Sequence, residues 1–409
     1  MLHMCLNIGF ESSMEKYEIF MWPVKLFSKT FGIFSINMIF NDFHWIVSVF
    51  LLLSCLICII IPPRIICQMD KWCSELSTIL TGVCIKVVAV TAFFSRIGAI
   101  YKGKIKFAKY KAAIDAFELY TLTLPDETRR FNNFCLALFY SYLVVILPVY
   151  VVRLCYIYLD DQYTFKATLM VYYLFTYMQN LGMCCMEFHF IVQCYNLYIK
   201  FYGINEQLCQ FKTNTEAGYT YDTYKAYPFE CTVCSHDPRP GNSTSSRELL
   251  FHWIETLRIK HWLVRDAVVK LNDLFGIQLG LSMIMLGLKI LFYVYNEIFY
   301  HFKPQIFVYV WLLQYSLRIV MITVMADKAS VQGTKTKTLI TEINNQFLDS
   351  VIIEELQIFL NQISSCPIEF TIYDFFTVKT RLIATVIAAG SSCLVILAQF
   401  HPRNVNSIY

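Results

Sequence analysis

The chain has 409 residues, 57% of them hydrophobic and 16% charged, with 34 Lys and Arg against 30 Asp and Glu for a formal net charge of +4. Soluble domains carry roughly 25% charged residues, so the composition excludes an ordinary water-soluble enzyme. The dispersed basic residues, with no aromatic-interleaved stripe, exclude a nucleic-acid binder. The apolar residues run in long unbroken stretches, the pattern of membrane spans. A crossing helix needs about 20 such residues, and seven stretches qualify: 43 to 62, 76 to 100, 132 to 155, 167 to 194, 274 to 298, 305 to 326 and 382 to 400. The predicted fold class is an all-α membrane protein with seven transmembrane helices in one membrane domain.

The head, 1 to 42, has no basic n-region followed by a small-residue cleavage site, so it reads as a cytosolic N-terminal segment and not as a removable signal peptide. Loop charge gives the orientation, because Lys and Arg accumulate in short cytoplasmic loops. The head, 101 to 131, 195 to 273 and 327 to 381 hold three, seven, nine and five of them; 63 to 75, 156 to 166, 299 to 304 and the tail hold two, one, one and one. The expectation is a cytosolic N-terminus and an extracellular C-terminus, with 401 to 409 as the outer tail. Residues 43 to 326 then form a six-helix bundle carrying a long cytosolic loop at 195 to 273, and 327 to 381 form a cytosolic region ahead of the seventh helix. This polarity is inverted relative to G-protein-coupled receptors, and the chain lacks Asp-Arg-Tyr after the third span and Asn-Pro-x-x-Tyr in the seventh.

Ionisable groups inside spans are costly and face protein or water. Lys86, Arg153, Lys289 and Arg318 are the basic ones, with Glu187 and His189 near the inner end of the fourth span. Lys86 and Arg153 can snorkel outward along their stems. Arg318 lies closest to mid-membrane and requires a partner, a carbonyl or a residue of the fourth span. Tyr and amide groups concentrate in the outer halves of spans four to six. Tyr173, Tyr177, Asn180, Tyr295, Trp311, Gln314 and Tyr315 are the candidates to contact a small ligand, since such pockets are mostly apolar and aromatic with a few polar anchors. The same residues fit an interfacial aromatic belt.

The seventh span is uncharged from Leu382 to Phe400 and small in its middle, Ala388-Ala389-Gly390-Ser391-Ser392. Small residues let helices approach closely in lipid. Helical spacing back from Gln399 aligns Val395 or Ile396, Ser392, Ala388 or Ala389, and Thr385 in a stripe. That stripe suits either a packed helix or a pore wall, in which apolar members close by dewetting while amide and hydroxyls handle ion hydration.

The 16 cysteines are scattered. Cys67 and Cys73 are the one pair that a first outer loop would bring together. Cys231 and Cys234, with His236, have metal-like spacing but no second pair, so no metal is assigned. There is no Gly-rich phosphate loop, no His-Glu-x-x-His and no supported Ser, His and Asp set; the chain reads as no enzyme, with no cofactor. Asn242-Ser243-Thr244 is a glycosylation sequon that the inside-facing loop keeps from the transferase. No internal repeat of the kind expected of a secondary transporter is present.

The C-terminal stretch carries the most specific motifs. Glu354-Glu355-Leu356-Gln357-Ile358-Phe359-Leu360-Asn361-Gln362-Ile363, then Phe370-Thr371-Ile372-Tyr373-Asp374-Phe375-Phe376, then Leu394-Val395-Ile396-Leu397-Ala398-Gln399-Phe400 resembles the signature of insect gustatory receptors. Weaker echoes are Leu271-Asn272 with Phe275-Gly276, and Lys25-Leu26-Phe27-Ser28 with Phe31-Gly32-Ile33-Phe34. The chain departs from the family at Ser392-Cys393, in place of Thr-Tyr, and at Asp374, where glycine is usual; the former points to a bitter-type or orphan member before a sugar-type one. The resemblance implies a multi-pass plasma-membrane receptor that is a ligand-gated cation channel, tetrameric with itself or with other gustatory receptors. It further implies an outer pocket for a small-molecule tastant and a cytosolic anchor at 327 to 381. It makes the stripe Thr385, Ala388, Ser392, Val395, Ile396 and Gln399, with Phe400, the expected pore and gate. The alternatives are a metabotropic seven-span chemoreceptor and a secondary transporter.

Overall fold

A computed structural model describes Val24, Leu26 and residues 41–61, 75–120, 125–159, 166–216, 243–300, 306–343, 348–372 and 375–399. Eight helices account for nearly all of it: α1 Asn41–Ile60, α2 Glu75–Leu119, α3 Pro125–Leu159, α4 Lys166–Glu216, α5 Ser243–Tyr300, α6 Ile306–Thr341, α7 Ser350–Ser365 and α8 Arg381–Gln399. A two-stranded antiparallel hairpin, β1 Thr371–Ile372 and β2 Phe376–Thr377, separates α7 from α8 and pairs Thr371 with Thr377 and Ile372 with Phe376. Each of the seven apolar stretches overlaps one helix, as a bilayer demands, since its core offers no water to unpaired backbone groups.

Four helices are long and apolar enough to cross a membrane among the described residues: Glu127–Leu159, Glu248–Ile298, Val308–Thr341 and Arg381–Gln399, with Ile46–Ile60 a shorter apolar helix. Helix α4 is more polar because it carries Gln179, Asn180 and Glu187, which are buried against protein and not turned to lipid.

Most helices are far longer than a bilayer is thick. At 1.5 Å per residue the 58 residues of α5 extend about 87 Å, whereas the hydrocarbon core is about 30 Å. The stretch 195 to 273, read from the sequence as a loop, is therefore corrected: α4 continues to Glu216 and α5 starts at Ser243. Charge pattern alone hides this, because a helix outside the membrane bears the same Lys and Glu as a loop. These charged halves bind one another. Lys106 pairs with Asp273 at 2.7 Å, Lys200 with Glu118 at 3.3 Å, Lys212 with Glu342 at 2.7 Å and Arg258 with Glu355 at 2.5 Å, tying α2 to α5, α4 to α2, α4 to the end of α6, and α5 to α7.

The largest core lies among the same elements. Helix α7 buries Ile352, Glu355, Leu356, Phe359 and Ile363, one stripe at helical spacing. Phe190 of α4 meets Phe275 of α5 and Phe370 edge-on, with centroids 5.8 and 6.1 Å apart. The Asn272 side chain donates to the Glu369 carbonyl at 2.8 Å, and a methyl group on Gly280 would fall 2.9 Å from Ile372. The chain ahead of β1 is thus wedged between helices. Residues that carry the family resemblance in two distant parts of the sequence, Asn272 with Phe275 and Phe370 with Ile372, meet here.

Candidate functional site

Three groups of residues include the candidates named from the sequence: a polar network between α3, α4, α5 and α6, the aromatic groups beside it, and α8. The network centres on Arg318. Its Nε and Nη2 donate to the two carboxylate oxygens of Glu187 at 2.6 and 2.7 Å, and Nη1 donates to Asn180 Oδ1 at 3.0 Å. Ser282 also donates to Glu187, and the Asn180 amide to the Tyr150 hydroxyl. Arg318 and Glu187 side chains are 3% and 1% exposed. Two charges removed from solvent hold together only when nearly every lone pair and proton is used, and the forked guanidinium suits a carboxylate. The partner that the sequence demanded for Arg318 is a residue of the fourth span, Glu187.

Around this network the predicted ligand residues fall into two sets. On α3 and α4, Tyr177 stacks on Tyr150 with centroids 4.1 Å apart, and Tyr173 leans against Tyr177 at 5.9 Å. On α5 and α6, Tyr293 contacts Trp311 at 5.4 Å and Tyr315 at 6.0 Å, while Lys289 donates to the Tyr315 hydroxyl at 3.2 Å and sits 4.5 Å from its ring centroid. Asn180 and Arg318 bridge the sets, and the Arg318 guanidinium lies 6.0 Å from the Tyr315 ring. Gln314 is buried beside the Tyr150 hydroxyl, which its amide approaches; among the described residues no hydrogen bond of ordinary geometry reaches either atom of that amide, the indole nitrogen of Trp311 or the Tyr142 hydroxyl. Unsatisfied buried polar atoms are expensive, and a bound molecule would use them. Tyr295 is buried further along α5.

Sequence reasoning named Asn180 among the ligand candidates, and Gln179 precedes it in the same stretch. The structure separates these neighbours: Gln179 turns to α1, donating to Ser54 at 3.3 Å and to Cys58 at 3.4 Å. It also missed Tyr150, Tyr142 and Ser282. Tyr150 and Tyr142 could have been found by asking which polar groups of the third span lack a snorkelling route.

Helix α8 buries none of its residues, although its mean hydropathy is 2.0. Among the described residues it packs mainly against α5 and α6. Thr385, Ala388, Ser392, Val395, Ile396 and Gln399 are all exposed; Phe400 lies outside the described residues. Thr385 and Ser392 donate to the carbonyls of Arg381 and Ala388 at 3.3 and 3.0 Å. Their protons are therefore engaged within the helix, which leaves them oxygen lone pairs to offer. Cys67, Cys73, Cys231, Cys234, His236 and Asn242 lie outside the described residues. Among the described residues no cluster of His, Cys, Asp and Glu could hold a metal ion.

The family model described as 7tm Chemosensory receptor matches residues 21–404. Among solved structures the chain is similar to the insect olfactory receptor OR5 from Machilis hrabei in complex with eugenol, with a TM-score of 0.63 at 11% identity, over 96% of this chain and 99% of that one. A second structure of that receptor gives 0.62 at 10% identity with the same coverage. At such identity the likeness is one of fold. Among curated protein sequences none matches.

Proposed function

The chain belongs to the 7tm chemosensory receptor family, and on that premise we propose that it is a gustatory receptor, a ligand-gated non-selective cation channel of the plasma membrane that detects a small-molecule tastant. The subunit crosses the bilayer seven times with its N-terminus in the cytosol, and four subunits, identical or drawn from related receptors, surround a central pore.

One observation carries this reading: α8 is apolar, long enough to span, and unburied in the single subunit. A helix with small residues and no core of its own gains most by packing against copies of itself. Four such helices would enclose a path lined by Thr385, Ala388, Ser392, Val395 or Ile396, and Gln399, with Phe400 at its outer end. Agonist binding beside Gln314, Tyr177 and Trp311 would favour the open arrangement only through tighter binding to it. The eugenol complex of the similar olfactory receptor makes a small phenol a sensible first probe beside sugars and bitter alkaloids.

The test is to express the full chain in oocytes and record ligand-evoked current with G-protein signalling blocked. Gln399→Ala and Phe400→Ala should change gating or ion preference at unchanged surface expression. Currents identical to wild type in both variants remove α8 from the pore, and a response that vanishes with G-protein block makes the receptor metabotropic.

A further inference from the structure

On the other face of α4 from the tyrosine cluster, a cleft between α1, α2 and α4 encloses about 320 Å³ counting its open mouth. Its wall includes Cys55 of α1, Ser95 and Arg96 of α2, and Gln179, Gly182 and Met183 of α4. Arg96 is 7% exposed and has no ion pair or hydrogen bond among the described residues. Among the described residues the ionisable groups that act on it are the thiols of Cys185 and Cys55, and no carboxylate is among them. This is the reverse of Arg318, each of whose three nitrogens donates to Glu187 or Asn180. The Gln179 carbonyl oxygen is also buried and, among the described residues, has no hydrogen-bond partner. Gly182 leaves room for the arginine head, since a methyl group there would fall 3.1 Å from Nη2.

A buried guanidinium without a counter-charge is costly, and the cleft beside it is open to its surroundings and not closed over. We propose that this cleft binds the anionic head of an amphiphile, a carboxylate or a phosphate, whose hydrocarbon tail stays in the bilayer. The guanidinium fork receives two oxygens of the head. The Ser95 hydroxyl lies on the same wall as a further donor, and the Gln179 oxygen accepts from a protonated head or its water. Met183 and Cys55 give the first carbons an apolar wall. The inference rests on the membrane reading of the chain and not on ion conduction, so it stands or falls separately from the channel.

Two sources supply this chemistry, a free fatty acid and an anionic phospholipid. The experiment incubates full-length receptor in neutral-lipid nanodiscs with diazirine-bearing palmitic acid, its methyl ester, or diazirine-bearing phosphatidic acid, and maps the crosslinks by mass spectrometry. Labelling of the segments around Cys55, Arg96 or Met183 by palmitic acid but not by the ester supports the fatty-acid source; preference for phosphatidic acid supports the lipid source. Arg96→Gln should cut labelling about tenfold or more, the worth of one charge-assisted contact, and Arg96→Lys should retain most of it. Equal labelling by acid and ester on the wild-type chain overturns the proposal even if Arg96→Gln does not fold. Equal labelling of wild type and Arg96→Gln overturns it as well. Ligand-evoked current recorded in parallel reports on the channel independently.

Discussion

Arg318 of α6 grips Glu187 of α4 through two hydrogen bonds of 2.6 and 2.7 Å in a site from which solvent is nearly excluded. The pair joins two helices that also share the aromatic groups around Tyr315 and Asn180, so the stability of the bundle and the shape of the proposed ligand site have a common anchor.

Breaking one half of that pair leaves a bare charge in the bundle, which costs about 3 to 5 kcal/mol. Arg318→Met and Glu187→Gln are each expected to lower the thermal midpoint of detergent-purified receptor, read by fluorescence-detected size exclusion. The double variant should recover a large part of the loss. Additive losses in the double variant would mean that the two residues are not coupled.

Gln314→Leu exchanges a buried amide that makes no hydrogen bond of ordinary geometry among the described residues for a hydrocarbon of similar size. Relief of unsatisfied polar atoms is worth about 1 to 3 kcal/mol, so the thermal midpoint should hold or rise. The agonist concentration for half-maximal current should rise tenfold or more. A midpoint several degrees lower would show that the amide serves the fold.

A methyl group at Gly333 of α6 would come within 2.7 Å of the Ile368 side chain and 3.2 Å of Phe201. Gly333→Ala overpacks the joint between α6 and the segment before β1, at about 1 to 3 kcal/mol. Ile368→Val in the same chain should restore part of the thermal midpoint. Equal loss in the single and the double variant would relocate the strain.

His261 of α5 is 2% exposed between Phe201 and Phe359. Burial pushes its pKa down from 6.5 to about 4, with the Gly333 carbonyl opposing and Arg265 adding to the effect. A depressed histidine pKa means that the folded state binds the proton less well than the unfolded one. Its stabilising effect is complete above pH 6.5 and falls by about 1.4 kcal/mol per unit as the pH drops from 6.5 towards 4. Thermal midpoints between pH 7.5 and 5 should therefore decline, and His261→Gln should flatten that decline. An identical slope in the variant assigns it to other groups.

The spans were legible because a run of about 20 apolar residues has few other uses, and Arg318 announced its need for a partner because a charge at that depth is intolerable alone. Arg96 escaped notice: it lies four residues from the end of its predicted span, where an arginine ordinarily snorkels, and only packing against α1 and α4 reveals that it stays inside. The helical continuations of α4 and α5 were hidden for a different reason. Their charged faces are indistinguishable in one dimension from a solvated loop, and what sets them apart is the apolar face they bury, Phe201, Ile204 and Leu208 on α4 and Ile254, Leu257 and Val264 on α5.

The length of α5 has a mechanical outcome. One unbroken rod joins the neighbourhood of Tyr295 to that of Arg258, so it can act as a lever: a tilt of about 3° around its midpoint displaces each tip by roughly 2 Å in opposite directions, given a rise of 1.5 Å per residue. Motion imposed at either extremity is felt at the other without any relay of side chains between them.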